Sequence, residues 1–121
     1  MFLIQIFTGA IFLFSGFSKT FLKKSSLLAL GQTGIENIDV WQIRLIGICE
    51  FLGSMTFFLP FCIGFSELLT RATALGFLLM MIFAAQIHFS RGEYKVVLFN
   101  ILLMILNLII FSFGPASTLA R

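Results

Sequence analysis

Arg44-Leu-Ile-Gly-Ile-Cys-Glu50-Phe-Leu-Gly-Ser-Met-Thr-Phe-Phe-Leu-Pro60 decides what kind of molecule this is. The run is apolar and long enough to enter a bilayer, and it carries one carboxylate, Glu50, well inside it. A charged group at membrane depth costs about 2.5–3.5 kcal/mol on insertion scales. A chain keeps such a group when something pairs with it, protonates it or wets it. Gly47, Glu50, Gly53 and Ser54 fall at i, i+3, i+6 and i+7, one narrow helical face with the acid between two glycines. That face is expected to look into a bundle, with Ile46, Phe51, Phe57 and Phe58 largely toward lipid. Pro60 marks a kink or a stop.

The rest of the chain supports a membrane setting. Of its 121 residues, 60% are hydrophobic and 11% charged, and 17 are Phe; the mean hydropathy is +1.09. A soluble domain carries about 25% charged residues. The length allows a single domain, 1–121. The net charge of +3 does not point to nucleic acid, because the basic residues sit between hydrophobic runs, where they act as topology signals. Cys49 and Cys62, if on one helix, stand about 20 Å apart at 1.5 Å per residue. That is too far for a disulfide. The start, Met1-Phe-Leu-Ile-Gln-Ile-Phe, lacks a positive leader region and reads as a retained first span.

Four spans are expected, at about 2–18, 42–60, 67–89 and 94–113, giving an all-α, polytopic four-helix membrane bundle. Thr8, Ser15 and Lys19 share a face of the first, and Gly9 and Gly16 lie on an adjoining one. Residues 20–42 are the longest polar stretch. Lys23-Lys24-Ser25-Ser26 is suited to cap a short helix over Leu27–Leu30, and Gln32-Thr33-Gly34 is turn material. Ile35, Ile38, Val40 and Trp41 are too apolar for a free loop, so this connection is expected at the membrane interface. Ser66 is suited to cap the third span. Ala72 and Gly76 form a small-xxx-small pair there. Asn100 and Asn107 share an inward face of the fourth, which Gly114-Pro115 ends.

Loops one and three carry Lys19, Lys23, Lys24, Arg44, Arg91 and Lys95, against Arg71 and Arg121 on the other side. This predicts cytoplasmic loops at 19–41 and 90–95, with both termini outward. Alternating spans bring Lys19, Glu50, His88 and Asn100, one from each helix, to the cytoplasmic third, with Ser15 and Gln86 beside them. Two main readings compete for this cluster. It fixes helix register through pairing of Glu50 with Lys19, His88 or Asn100, or it lines a cavity for a polar head. A third holds Glu50 protonated against a backbone carbonyl. One histidine excludes bis-His haem, no spacing suits zinc, and neither a phosphate loop nor a Ser/His/Asp trio is present.

Phe12-Leu-Phe-Ser-Gly-Phe-Ser-Lys19, Glu50-Phe-Leu-Gly53 with Leu59-Pro60, and Ala84-Ala-Gln-Ile-His-Phe-Ser-Arg-Gly-Glu-Tyr-Lys95 resemble, in order, the helix signatures of the DoxX-like membrane proteins. The likeness covers nearly the whole chain. It implies a four-helix protein of the plasma membrane, with Lys19, Glu50, His88, Arg91 and Glu93 at the polar motif positions. Relatives of that type include small subunits of quinol oxidases and thiosulfate:quinone oxidoreductases, a membrane partner of a superoxide-detoxifying complex, and receptor assembly chaperones. The expected function is therefore that of a small accessory protein without catalysis of its own. It would hold a quinone or lipid head, or else act as an assembly factor for other membrane proteins or, less readily, as a small-solute carrier. The expected partners are the bilayer, other membrane proteins and further copies of the chain, not nucleic acid; the cofactor is open, with quinone the candidate.

Overall fold

A computed structural model describes residues 1–58 and 67–114. Among these the chain is all-helical. It forms α1 (Phe2–Phe21), α2 (Lys24–Ala29), a single 3₁₀ turn (Thr33–Ile35), α3 (Val40–Phe58), α4 (Glu67–Ser90) and α5 (Tyr94–Phe113). The expectations that involve Pro60, Cys62, Ser66 and Pro115 lie outside the described residues.

Three described helices are long and apolar enough to cross a membrane: Leu3–Phe21, Glu67–Ser90 and Tyr94–Phe113. The helix that carries Glu50 is not among them. Its described part carries Trp41, Gln42, Arg44 and Glu50, so its apolarity falls short. Four spans were expected from the sequence, and three helices meet the description.

Helices α1 and α3 lie backbone against backbone. A Cβ at Gly16 would come 2.5 Å from the Phe51 nitrogen and 2.8 Å from the Gly47 carbonyl oxygen. A Cβ at Gly47 would come 2.8 Å from both the Lys19 carbonyl carbon and the Thr20 nitrogen. Backbone atoms cannot yield as side-chain ends can, so both positions need glycine. Arg44 reinforces the contact, its Nη1 donating to the carbonyl oxygens of Lys19 and Leu22. These are among the last carbonyls of α1, which have no partner in the helix. This cap explains why α1 runs on to Phe21 rather than stopping near Ser18.

Helices α4 and α5 form the second close pair, and the two pairs meet in an aromatic core. Phe12 of α1 stacks on Phe77 of α4, ring centroids 3.9 Å apart, and Phe57 of α3 meets Phe77 edge-on at 5.7 Å. Ala74, Met81, Leu103 and Ile110 complete it. Phe57 is therefore buried, against the expectation that it faces lipid. It stands seven residues beyond Glu50 and so shares the inward face of α3 with Glu50 and Ser54. The Ala72/Gly76 pair is also corrected: among the described residues nothing outside its own helix lies within 4 Å of a Cβ added at Gly76.

The connection over residues 22–39 folds over one end of the bundle. Leu27, Ile35 and Ile43 make a small core of their own beneath it. Two turns admit little but glycine, Gly31 at φ 90° and Gly92 at φ 75°. The second folds the chain back between α4 and α5 and brings Glu93 under the connection. There the Thr33 hydroxyl donates to Glu93 Oε2 at 2.5 Å. Arg91 bridges Glu93 Oε1 at 3.1 Å and Glu36 Oε2 at 2.6 Å.

Replacing Gly47 with Val is expected to force α1 and α3 apart and lower stability by about 1–3 kcal/mol. Gly76→Ala, with open space around it, is expected to leave the detergent-solubilised melting temperature unchanged or raise it. Equal losses from both would show that the α1–α3 approach is not the constraint. A second expectation concerns Glu93, whose carboxyl is held down to about 2, first by the Thr33 hydroxyl, then by His88 and Arg91. Against an unfolded value of about 4.3, its stabilisation is complete above that pH and is lost as pH falls toward 2. The melting-temperature gap between the protein and Glu93→Gln should hold steady above pH 4.5 and narrow below it. A gap that stays constant down to pH 2 would contradict this.

Candidate functional site

Each polar residue singled out from the sequence has a definite place. Lys19 leaves the last turn of α1 and donates to Glu50 Oε1 at 2.6 Å. Glu50 is 1% exposed and the Lys19 side chain 15%, so this is a buried ion pair across the α1–α3 contact. The Gly16–Gly47 approach is what brings the two within reach. The second carboxylate oxygen, Oε2, is buried without a hydrogen-bond partner.

His88 does not pair with Glu50. It lies near the end of α4, and its Nδ1 is 2.9 Å from Glu93 Oε1. A carboxylate only accepts, so Nδ1 is the donor and the ring is held in one orientation. The other edge of the ring faces Gly34: a Cβ there would sit 3.1 Å from both Cε1 and Nε2. Gly34 thus lets the connection lie directly on the imidazole. Arg91 and Glu93 form the rim of this arrangement rather than part of an interior site.

Asn100 is 5% exposed, and its Nδ2 is buried with no partner. Asn107, on the same face of α5, donates its Nδ2 to the Leu103 carbonyl at 2.8 Å but leaves Oδ1 without a donor. Gln86 is exposed and stands apart from the others.

Lys19, His88 and Asn100 line a cavity of about 690 Å³ between the two helix pairs. Small-molecule sites run from about 300 to 1,000 Å³. Most of the wall is apolar, from Phe7, Ile11 and Phe14 of α1 to Met80, Phe83 and Ala84 of α4 and Phe99 and Leu103 of α5. Ser15, Lys19, His88 and Asn100 supply its helix-borne polar groups. They stand where α1 and α4 end and α5 begins, so they crowd one end. Glu50 is not in the wall; it reaches the cavity only through Lys19. The connection forms a cover from Leu30, Gly31, Gln32, Gly34, Ile35 and Ile38.

Several participants escape a reading of the sequence. Thr33 reaches Glu93 across 60 residues, and nothing near it announces that. The cover did leave a trace, because Ile35 and Ile38 are too apolar for a loop in water. At the opposite end, Gln5 Nε2 donates to the Phe57 carbonyl at 2.8 Å and the Thr70 hydroxyl to the Thr56 carbonyl at 2.9 Å. These tie the bundle together there and do not line the cavity. No group of three His, Cys, Asp or Glu residues suited to a metal occurs among the described residues.

The arrangement combines an apolar wall with a few polar groups. It offers an apolar chamber, an ammonium and an amide as donors, and an oriented imidazole, all at one end. No curated protein and no solved structure matches the chain. The model of the DoxX-like family matches residues 3–110, and the chain belongs to that family of membrane proteins.

Proposed function

We propose that this protein is a small accessory protein of the membrane, without catalysis of its own, that holds a lipophilic molecule of the quinone or lipid class in the cavity between its helix pairs. The apolar tail lies along Phe7, Phe14 and Leu103, and the polar head lies against Lys19, Asn100 and His88. In this reading α3 is the fourth span. Its charged face is turned onto α1, and its low apolarity is no barrier to crossing. The connections at 19–41 and 90–95 face the cytoplasm of the plasma membrane, where six of the eight basic residues gather.

The observation that carries the proposal is the Asn100 amide. A buried donor left unsatisfied costs about 1–3 kcal/mol, and a leucine of similar volume would remove that cost. An amide placed in the wall of an apolar chamber, without a protein partner, is accounted for by an acceptor that arrives with a ligand. The neighbouring ammonium, already fixed by Glu50, supplies a second donor at the same end.

The two readings of Asn100 separate cleanly. Asn100→Leu is expected to raise the melting temperature of the empty protein in detergent. The same change is expected to weaken binding of a decyl-substituted quinone/hydroquinone pair about three- to tenfold, the worth of one hydrogen bond. A variant that loses stability while binding is unchanged would make Asn100 a packing residue and remove the support for this function.

A further inference from the structure

The polar end of the cavity has a definite donor and acceptor order, and it selects among the heads that the proposed function allows. Lys19 Nζ and Asn100 Nδ2 are donors. His88 is different. Its Nδ1–H donates to Glu93 Oε1, the two atoms being 2.9 Å apart. In the neutral ring the other nitrogen, Nε2, then carries a lone pair and accepts. It has no hydrogen-bond partner among the described residues, and it sits beneath Gly34, which also lines the cavity. Glu93 is itself fixed by the Thr33 hydroxyl at 2.5 Å and by Arg91 at 3.1 Å. The acceptor character of Nε2 is thus set by a chain of contacts outside the cavity, much as outer partners fix the tautomer of a metal-bound histidine.

Charge adds a second constraint. Lys19 is the one Lys, Arg, Asp or Glu among the described lining residues, and Glu50 neutralises it at 2.6 Å. The wall therefore offers an ionic head no surplus charge, and an anion would have to compete with a buried carboxylate for the ammonium. An uncharged head meets no such opposition.

We infer, resting on the binding function proposed above, that the cavity selects an uncharged head bearing an O–H donor beside an acceptor oxygen. The O–H donates to His88 Nε2, and the oxygen accepts from Asn100 Nδ2 and Lys19 Nζ. Of a quinone pair this is the hydroquinone. The oxidised quinone has acceptors only and leaves Nε2 facing a lone pair. The contacts are hydrogen bonds, with no transfer of electrons or protons.

The test is equilibrium binding to the detergent-solubilised full chain at pH 8.5, under anaerobic conditions. Four probes are compared: decylhydroquinone, decylquinone, the dimethyl ether of the hydroquinone, and the anionic lipid phosphatidylglycerol. The hydroquinone is expected to bind about tenfold tighter than the quinone or the ether, and tighter than the anionic lipid. His88→Leu is expected to bring the hydroquinone to the level of the quinone. Glu93→Gln gives a sharper readout, because a glutamine amide can donate to Nδ1 and so release the tautomer. The preference should then collapse, with the variant's thermal unfolding transition still cooperative. If the hydroquinone, quinone and ether bind the wild-type protein equally, or if Glu93→Gln keeps the preference, this inference is overturned while the binding function stands. Tighter binding of the anionic lipid overturns it in the same way. If no probe binds the wild-type protein, the binding function itself falls, and the inference with it.

Discussion

The buried pair between Lys19 and Glu50, 2.6 Å apart, is the contact on which the rest of the molecule depends. Neither charge is tolerable alone in an apolar interior, and removing one partner of such a pair costs about 3–5 kcal/mol. The pair therefore fixes the register of α1 against α3 more stringently than apolar packing does, since packing gives way gradually. It also requires the glycines. With a side chain at Gly16 or Gly47 the helices would stand farther apart and the ammonium would not reach. Arg44 completes the arrangement by capping α1 beside it. Three polar devices that would each burden an isolated apolar helix are used against one neighbour.

This explains the uneven construction of the bundle. The α1–α3 pair is closed by backbone contact and charge, and the α4–α5 pair by apolar side chains and a tight turn at Gly92. The pairs touch in the aromatic core around Phe12, Phe57 and Phe77 and part toward the end where the connection covers them. A cavity between two well-closed pairs need not be filled to keep the fold. The tie provided by the core is enough, and the open end is free to carry unpaired polar groups. Asn100 Nδ2 is of that kind. Asn107, placed against the core, has instead turned its Nδ2 to the Leu103 carbonyl one turn back.

Much of this was legible in the sequence, for identifiable reasons. Hydropathy marks α4 and α5 nearly to the residue, because a helix bounded by Ser90-Arg91-Gly92 and Gly114 has few other places to begin or end. The inward face of α3 follows from the spacing of Gly47, Glu50 and Ser54. What failed were inferences about neighbours. Phe57 looks lipid-facing by its bulk, and its burial depends on Phe77 from another helix. Ala72 and Gly76 look like a packing pair, yet no described neighbour lies beside Gly76. His88 and Glu50 both lie near one end, but the turn at Gly92 delivers a nearer carboxylate, five residues away, and His88 takes that one. Composition predicts which groups are buried, whereas partner choice depends on turn geometry and on crossings between helices.

The same contrast in strength bears on how the chamber opens. The helix pairs are held by a buried ion pair and backbone approach. The cover is held by its small core of Leu27, Ile35 and Ile43, by Lys24 Nζ on the Ile38 carbonyl at 2.8 Å, by Thr33 on Glu93, and by Arg91 on Glu36, whose side chains are 30% and 51% exposed. Exposed ion pairs contribute about 0–1 kcal/mol each. Local opening follows the weakest contacts, and the exposed Arg91–Glu36 pair is the weakest of these. Phe7 and Phe14 of α1 and Phe83 and Phe99 of α4 and α5 line the cavity and are exposed on the outside. At these positions the cavity wall is one side chain thick.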